Sequence, residues 1–242
     1  MSYSVVPPTV GSPQISPFNL PDTTARAAEG LIFNAVDPYW GGGEFKYCKA
    51  GGTIRSLALV TLLPVITGGK LSYVVTEAAS VANSGRFVGV AMVPATIGQF
   101  LMVQIGGVVP INSNASIAAD SAYANVAAGQ AGALVISKQV LNSRIALAAT
   151  TTVAKAGCTA NSGSTRLNIP NADGLFIGCY LSGTGIAATT TVADIDPSGT
   201  VVTLSLATTA AVTGTVTGTY NNAVIFYNVA HLNRPFLQGA IT

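Results

Sequence analysis

The sequence predicts an all-β protein in two parts, preceded by an extended arm, and three observations carry that prediction. Residues 31 to about 154 are short runs rich in Val, Ile, Tyr and Phe, cut by Gly, Asn and Pro, the punctuation of strands and turns. From about residue 155 to 220 the runs become Thr-rich and alternate between apolar and polar positions, the period of half-buried strands. Helical periodicity is scarce throughout.

Residues 1–30 form the arm. Pro7, Pro8, Pro13, Pro17 and Pro21 stand among little charge and no regular period, so the segment is extended. Its apolar residues Val5, Val6, Ile15, Phe18 and Leu20 are candidates to lie on a partner or a neighbouring subunit; the plain alternative is an unattached terminus. Residues 31–154 together with 221–242 are expected to make a β-barrel or sandwich. Within it, "QFLMVQIGGVVPI" at 99–111 is apolar at both alternating positions, which describes a central strand covered on both faces and bent at Gly106 and Gly107. "SRIALAATTTVA" at 143–154 admits a short helix or a strand, and its threonines favour the strand.

Residues 155–220 read as an inserted small β-sandwich. In "STRLNIP" Thr165, Leu167 and Ile169 oppose Arg166 and Asn168. In "VTGTVTGTY" Val212, Gly214, Val216, Gly218 and Tyr220 oppose Thr213, Thr215, Thr217 and Thr219. The closing "AVIFYNVAHLNRPFLQGAIT" returns to the composition of the first part, so the last strand is expected to rejoin it, with the ends of the insertion near each other.

The chain has 242 residues, enough for a sizeable core, yet only 11 Lys or Arg and 9 Asp or Glu. That is 8% charged residues, against about 25% in typical globular proteins. Low charge density leaves little repulsion between copies, so self-association is expected. The basic residues, Lys46, Lys70, Arg86 and Arg144 among them, are scattered, which argues against nucleic acid as a partner. "LALVTLLPVI" at 57–66 is too short to cross a bilayer and contains Pro64, so no membrane partner is expected. The start "MSYSVVPPTVGSPQ" lacks a basic and then apolar leader, so synthesis in a cytosol is expected.

Residues able to do chemistry are few. Cys48, Cys158 and Cys179 have no metal-ligand spacing and read as reduced, buried residues, a Cys158–Cys179 disulfide being the alternative. His231 has no useful neighbour in "NVAHLNRPF" and reads as a packed or hydrogen-bonded histidine. "SGTGIAA" at 182–188 matches a dinucleotide-loop pattern, but the β-branched "TTTVADID" that follows cannot open the helix such a loop needs, so a turn is predicted. "DIDPSG" at 194–199 is a β-turn rather than a calcium loop, because Ser205 stands where the bidentate glutamate belongs. No catalytic residue, metal or cofactor is expected. The threonine row Thr213, Thr215, Thr217 and Thr219 is either a flat hydroxyl surface able to hold a glycan or simply exposed β residues.

Four segments carry a resemblance. "EGLIFNAVDPYWGGGEFKYCKAGGTI" resembles the opening block of head-associated structural proteins of tailed bacteriophages, "FVGVAMVPATIGQFLMVQIGGVVPINSNASIAADSAYA" resembles their second block, and "NVAHLNRPFLQG" their closing strand. "IPNADGLFIGCYLSGTGIAATTTVADID" resembles a Thr-rich β module of phage surface proteins. The resemblance implies a capsid cement or decoration protein on the outer surface of the virion, with the major capsid protein and other copies of itself as partners, a trimer favoured. It also implies that Asp37 and Pro38 begin a turn and that Glu44 to Lys49 form a strand. On that view Tyr39 and Trp40 contact another subunit or the shell, or Trp40 plugs the end of the barrel. The rival expectation is a head- or tail-fibre adhesin that holds host surface glycans through the insertion.

Overall fold

Alternating apolar runs bury one face of a strand and doubly apolar runs bury both, and these two patterns sort the chain into two sheets. A computed structural model describes residues 4–5, 20–37, 39–147, 152–196, 198–220 and 226–239. The first sheet contains β1 (Ser4–Val5), β2 (Ile32–Asp37), β3 (Gly41–Ala50), β4 (Leu59–Thr67), β5 (Lys70–Glu77), β6 (Val88–Ala91), β7 (Phe100–Ser113), β8 (Ala124–Ala127), β9 (Gln130–Gly132) and β10 (Val140–Leu147). The second contains β11 (Thr152–Ala160), β12 (Arg166–Asn168), β13 (Tyr180–Ser182), β14 (Val192–Ile195), β15 (Val201–Leu204) and β16 (Val212–Thr219). β17 (Phe226–Leu237) then returns to the first sheet, between β7 and β10. Among the described residues the one helical element is the 3-10 turn Ile136–Lys138. Segment 143–154 supplies the end of β10 and the start of β11, where Thr152 is strand, and residues 148–151 lie outside the described residues.

Five strands of the first sheet close on themselves. β3, β5, β4, β6 and β7 are neighbours in that order, and β7 pairs back onto β3 over Gly43–Lys49. Register sets Cys48 opposite Leu101, Lys46 and Ala91 opposite Val103, Val60 opposite Gly89, and Leu62 and Ala50 opposite Val75. Apart from Lys46 at the open end, the residues on this inner face are small or branched because the enclosed space is narrow. A Cβ on Gly89 would stand 2.5 Å from Val103 Cγ1. Burying each Val or Leu here contributes about 1.5–3 kcal/mol.

The outer face of β3 is covered too. Tyr47 is stacked on Phe100, centroids 5.8 Å apart and planes 12° apart, and its hydroxyl donates to Asp22 Oδ2 at 2.8 Å. Asp22 and Phe100 exchange backbone hydrogen bonds of 2.8 Å, and Arg26 Nε lies 3.2 Å from Asp22 Oδ1. The last residues before β2 are thereby fastened across one end of the barrel. β7 is buried along Phe100–Ile105 on both faces, and the buried Gln104 donates through Nε2 to the carbonyls of Gly106 and Val108 at 3.0 and 3.1 Å, satisfying the backbone where the strand bends. Beyond the bend β7 pairs with β17 from Gly106 to Ser113.

The second sheet runs β13, β16, β11, β12, β15, β14, and it curls until its end strands meet. Tyr180 bridges Thr191, and Val192 N–H donates to the Cys179 carbonyl at 2.9 Å. Leu167, Leu181, Val202 and Val216 fill the interior.

All three thiols are free and buried. Burial pushes the Cys48 and Cys179 thiols and the Tyr47 and Tyr227 phenols up to about 12, and raises Tyr123 further. An unfolded chain ionises these groups at roughly 8.5 for Cys and 10 for Tyr. The stability they confer is therefore complete below about pH 8.5 and is lost as pH rises towards their folded values. Urea midpoints are expected to hold steady from pH 7 to 8.5 and fall continuously to pH 11; a flat profile to pH 11 would contradict this.

Candidate functional site

The stretch around Tyr39 and Trp40 joins the two sheets. Trp40 closes the turn between β2 and β3 and is only 6% exposed. Its ring lies 5.8 Å from that of Tyr220, at the end of β16, and Tyr39 meets it edge-on at 4.9 Å. Tyr220 is fully buried and its hydroxyl donates to the Gly174 carbonyl at 3.0 Å. Phe176 packs on Tyr220 at 5.1 Å and on Tyr227 of β17 at 4.9 Å, and Ser56 Oγ donates to the Ile177 carbonyl at 3.2 Å. The loop holding Phe176 approaches β17 through Gly178, where a Cβ would stand 2.4 Å from the Tyr227 hydroxyl oxygen. Rings from both sheets thus form one joint. Of the two sequence readings of Trp40, the structure has it packed within the chain, and only Tyr39, 44% exposed, presents surface.

The arm candidates do not gather with that pair. β1 lays Ser4 and Val5 antiparallel to Val36 and Ala35 of β2, at the sheet edge. Leu20 is exposed beside Asp22, which binds the other end of β3 through Tyr47. Val6, Ile15 and Phe18 lie outside the described residues.

The threonine row lies on β16. Thr213 and Thr215 are exposed and Thr217 and Thr219 partly so, while Val212, Val216, Gly218 and Tyr220 are buried and Gly214 is exposed. Pairing extends the polar face sideways: Thr152 and Tyr180 flank Thr219, Ala154 and Ser182 flank Thr217, and Thr159 flanks Thr213. The predicted turns are in place, with Gly199 N–H donating to the Asp196 carbonyl at 2.9 Å and Ile186 N–H to that of Gly183 at 3.1 Å. Hydrogen bonds from Ser198 and from the Val201 and Thr200 amides hold the Asp196 carboxyl below its ordinary range.

Sequence reasoning missed the open end of the barrel. There Lys46, Leu62, Pro64, Tyr73, Phe87 and Ile105 surround a cavity of about 260 Å³. The signal was present in "LLPVITGGKLSY", whose continuous apolar run extends almost to the Gly68–Gly69 turn. His231, expected to be packed or hydrogen-bonded, is instead exposed on β17, opposite Arg144 of β10. Among the described residues no three His, Cys, Asp or Glu stand close enough to hold a metal ion, and no helix is long and apolar enough to cross a membrane. Comparison with known proteins finds no match to a family model, a curated protein or a solved structure.

Proposed function

We propose that the chain is a structural virion protein that binds the outer surface of a tailed-phage capsid and cements it, as a homo-oligomer and most simply a trimer. The observation that supports this reading is the division of its surface. Among the described residues, the large apolar side chains that stand exposed all fall outside residues 152–220 except Leu206. The part built on the first sheet therefore carries sticky surface and the curled sheet carries hydroxyls, the arrangement of a part that docks and a part that faces water. Contacts of this kind are weakened less by salt than ion pairs are. The reading assigns no reaction, cofactor or metal.

Co-sedimentation with expanded empty heads is the test. The expected result is saturation at hundreds of copies per head, in a multiple of three; a dozen copies or fewer would reject cementing. The hydroxyl face around Thr213–Thr219 supports a second reading, an adhesin for host glycans. Saturable glycan binding that disappears when Thr213 and Thr215 become Val would favour it.

A further inference from the structure

We propose that the open end of the five-stranded barrel is a socket for one segment of the shell protein, a peptide presenting a large apolar side chain next to a carboxylate. This rests on the capsid-binding reading above.

The β4–β5 hairpin overshoots the barrel. Below the rim, the face carrying Leu62 and Val75 is core. The same face continues outward through the pairs Pro64 with Tyr73 and Ile66 with Leu71, where Ile66 is 75% exposed and Leu71 50% exposed. Phe87, 66% exposed, stands beside it at the rim, its carbonyl accepting from the Leu62 N–H at 3.0 Å. A core-type face left uncovered on several sides is a docking surface.

Charge specifies the occupant. Lys46 Nζ sits 4.2 Å above the Tyr73 ring, and among the described residues no carboxylate forms an ion pair with it. Glu44, two residues along the same strand, is already held by Arg234 at 2.7 and 2.9 Å. An apolar hollow whose ammonium makes no direct ion pair, feeling Glu44 only at longer range, takes an apolar group accompanied by an anion, because the pair strengthens as water leaves. A second copy fits poorly, since mouth against mouth would set two Lys46 ammoniums near each other. The cavity is also smaller than the roughly 300–1,000 Å³ of small-molecule pockets, a size that suits one or two side chains of a peptide.

The test is co-sedimentation of the full chain with expanded empty heads, comparing wild type, Lys46→Arg and Lys46→Glu, with melting curves to confirm that all three fold. Lys46→Arg is expected to bind within about 3-fold of wild type, since Arg keeps both the charge and the ring contact. Lys46→Glu is expected to bind at least about 10-fold more weakly at unchanged melting temperature. If Lys46→Glu saturates heads like wild type, the socket is wrong and the capsid reading stands. If wild type does not bind heads, the capsid reading falls and the socket falls with it. If wild type self-associates without heads and Lys46→Glu disperses it, the occupant is a second copy and the proposal is overturned.

Discussion

Replacing Gly107 with alanine is expected to lower the melting temperature by roughly 8–16 °C, or to prevent accumulation of folded protein, on the scale of about 2–4 °C per kcal/mol for a chain of this size. Two effects combine. Gly107 has φ +93°, where an L side chain costs about 1–2 kcal/mol. A Cβ there would also stand 2.3 Å from the Gly42 carbonyl oxygen and 2.9 Å from Gly43 Cα, both backbone atoms that cannot swing aside. Gly107 is opposite Gly43 on β3 and Leu232 on β17, so any relief by movement breaks one pairing or the other. Together these exceed about 4 kcal/mol, a large part of the 5–15 kcal/mol that holds a domain folded. Gly98→Ala is the control, because Gly98 has φ +89° but nothing within 4 Å of its Cβ position. It should cost only the strain; equal losses at the two sites would show that the close strand contact does not matter.

The elements that were legible in the sequence are those whose signal is local. β7 was readable because both of its alternating faces are apolar, and its bend because two glycines interrupt it. β16 was readable because Thr and apolar residues alternate through it. Barrel closure was not, since β3 and β5 pair through their backbones only at Lys49–Val74 and Ala50–Val75, a parallel pairing with no pattern of its own. The fate of Trp40 was also hidden. A large amphipathic ring beside glycines suits an interface and a core equally, and its partner Tyr220 is 180 positions away along the chain. The socket escaped notice because Pro64, Ile66, Leu71 and Tyr73 keep one period whether or not a barrel covers them. Asp22 carries no local pattern in the sequence, and only the fold brings it to Tyr47.

Tyr220→Ala is expected to loosen the joint between the sheets. Removing a fully buried aromatic ring costs about 3–5 kcal/mol, and this one also takes its hydroxyl from the Gly174 carbonyl and its face from Trp40 and Phe176. The contacts between the sheets that remain include Phe176 against Tyr227, the Tyr227 N–H donating to the residue 220 carbonyl at 2.8 Å, and Ser56 to Ile177. The loss should therefore fall on the coupling between the sheets as well as on each of them. Because Trp40 is the single tryptophan, its emission reports on the joint directly. In the variant that emission should shift to the red before any unfolding, as water reaches the indole. Denaturant curves followed by Trp40 fluorescence and by far-ultraviolet circular dichroism should coincide in wild type and separate in Tyr220→Ala. If emission stays unchanged and the two curves still coincide, the rings merely fill space. If they separate, the chain uses its one tryptophan to fix the hydroxyl-bearing sheet rigidly on the barrel, and under the proposed capsid-binding function such a joint would hold the outer part in one orientation on the shell.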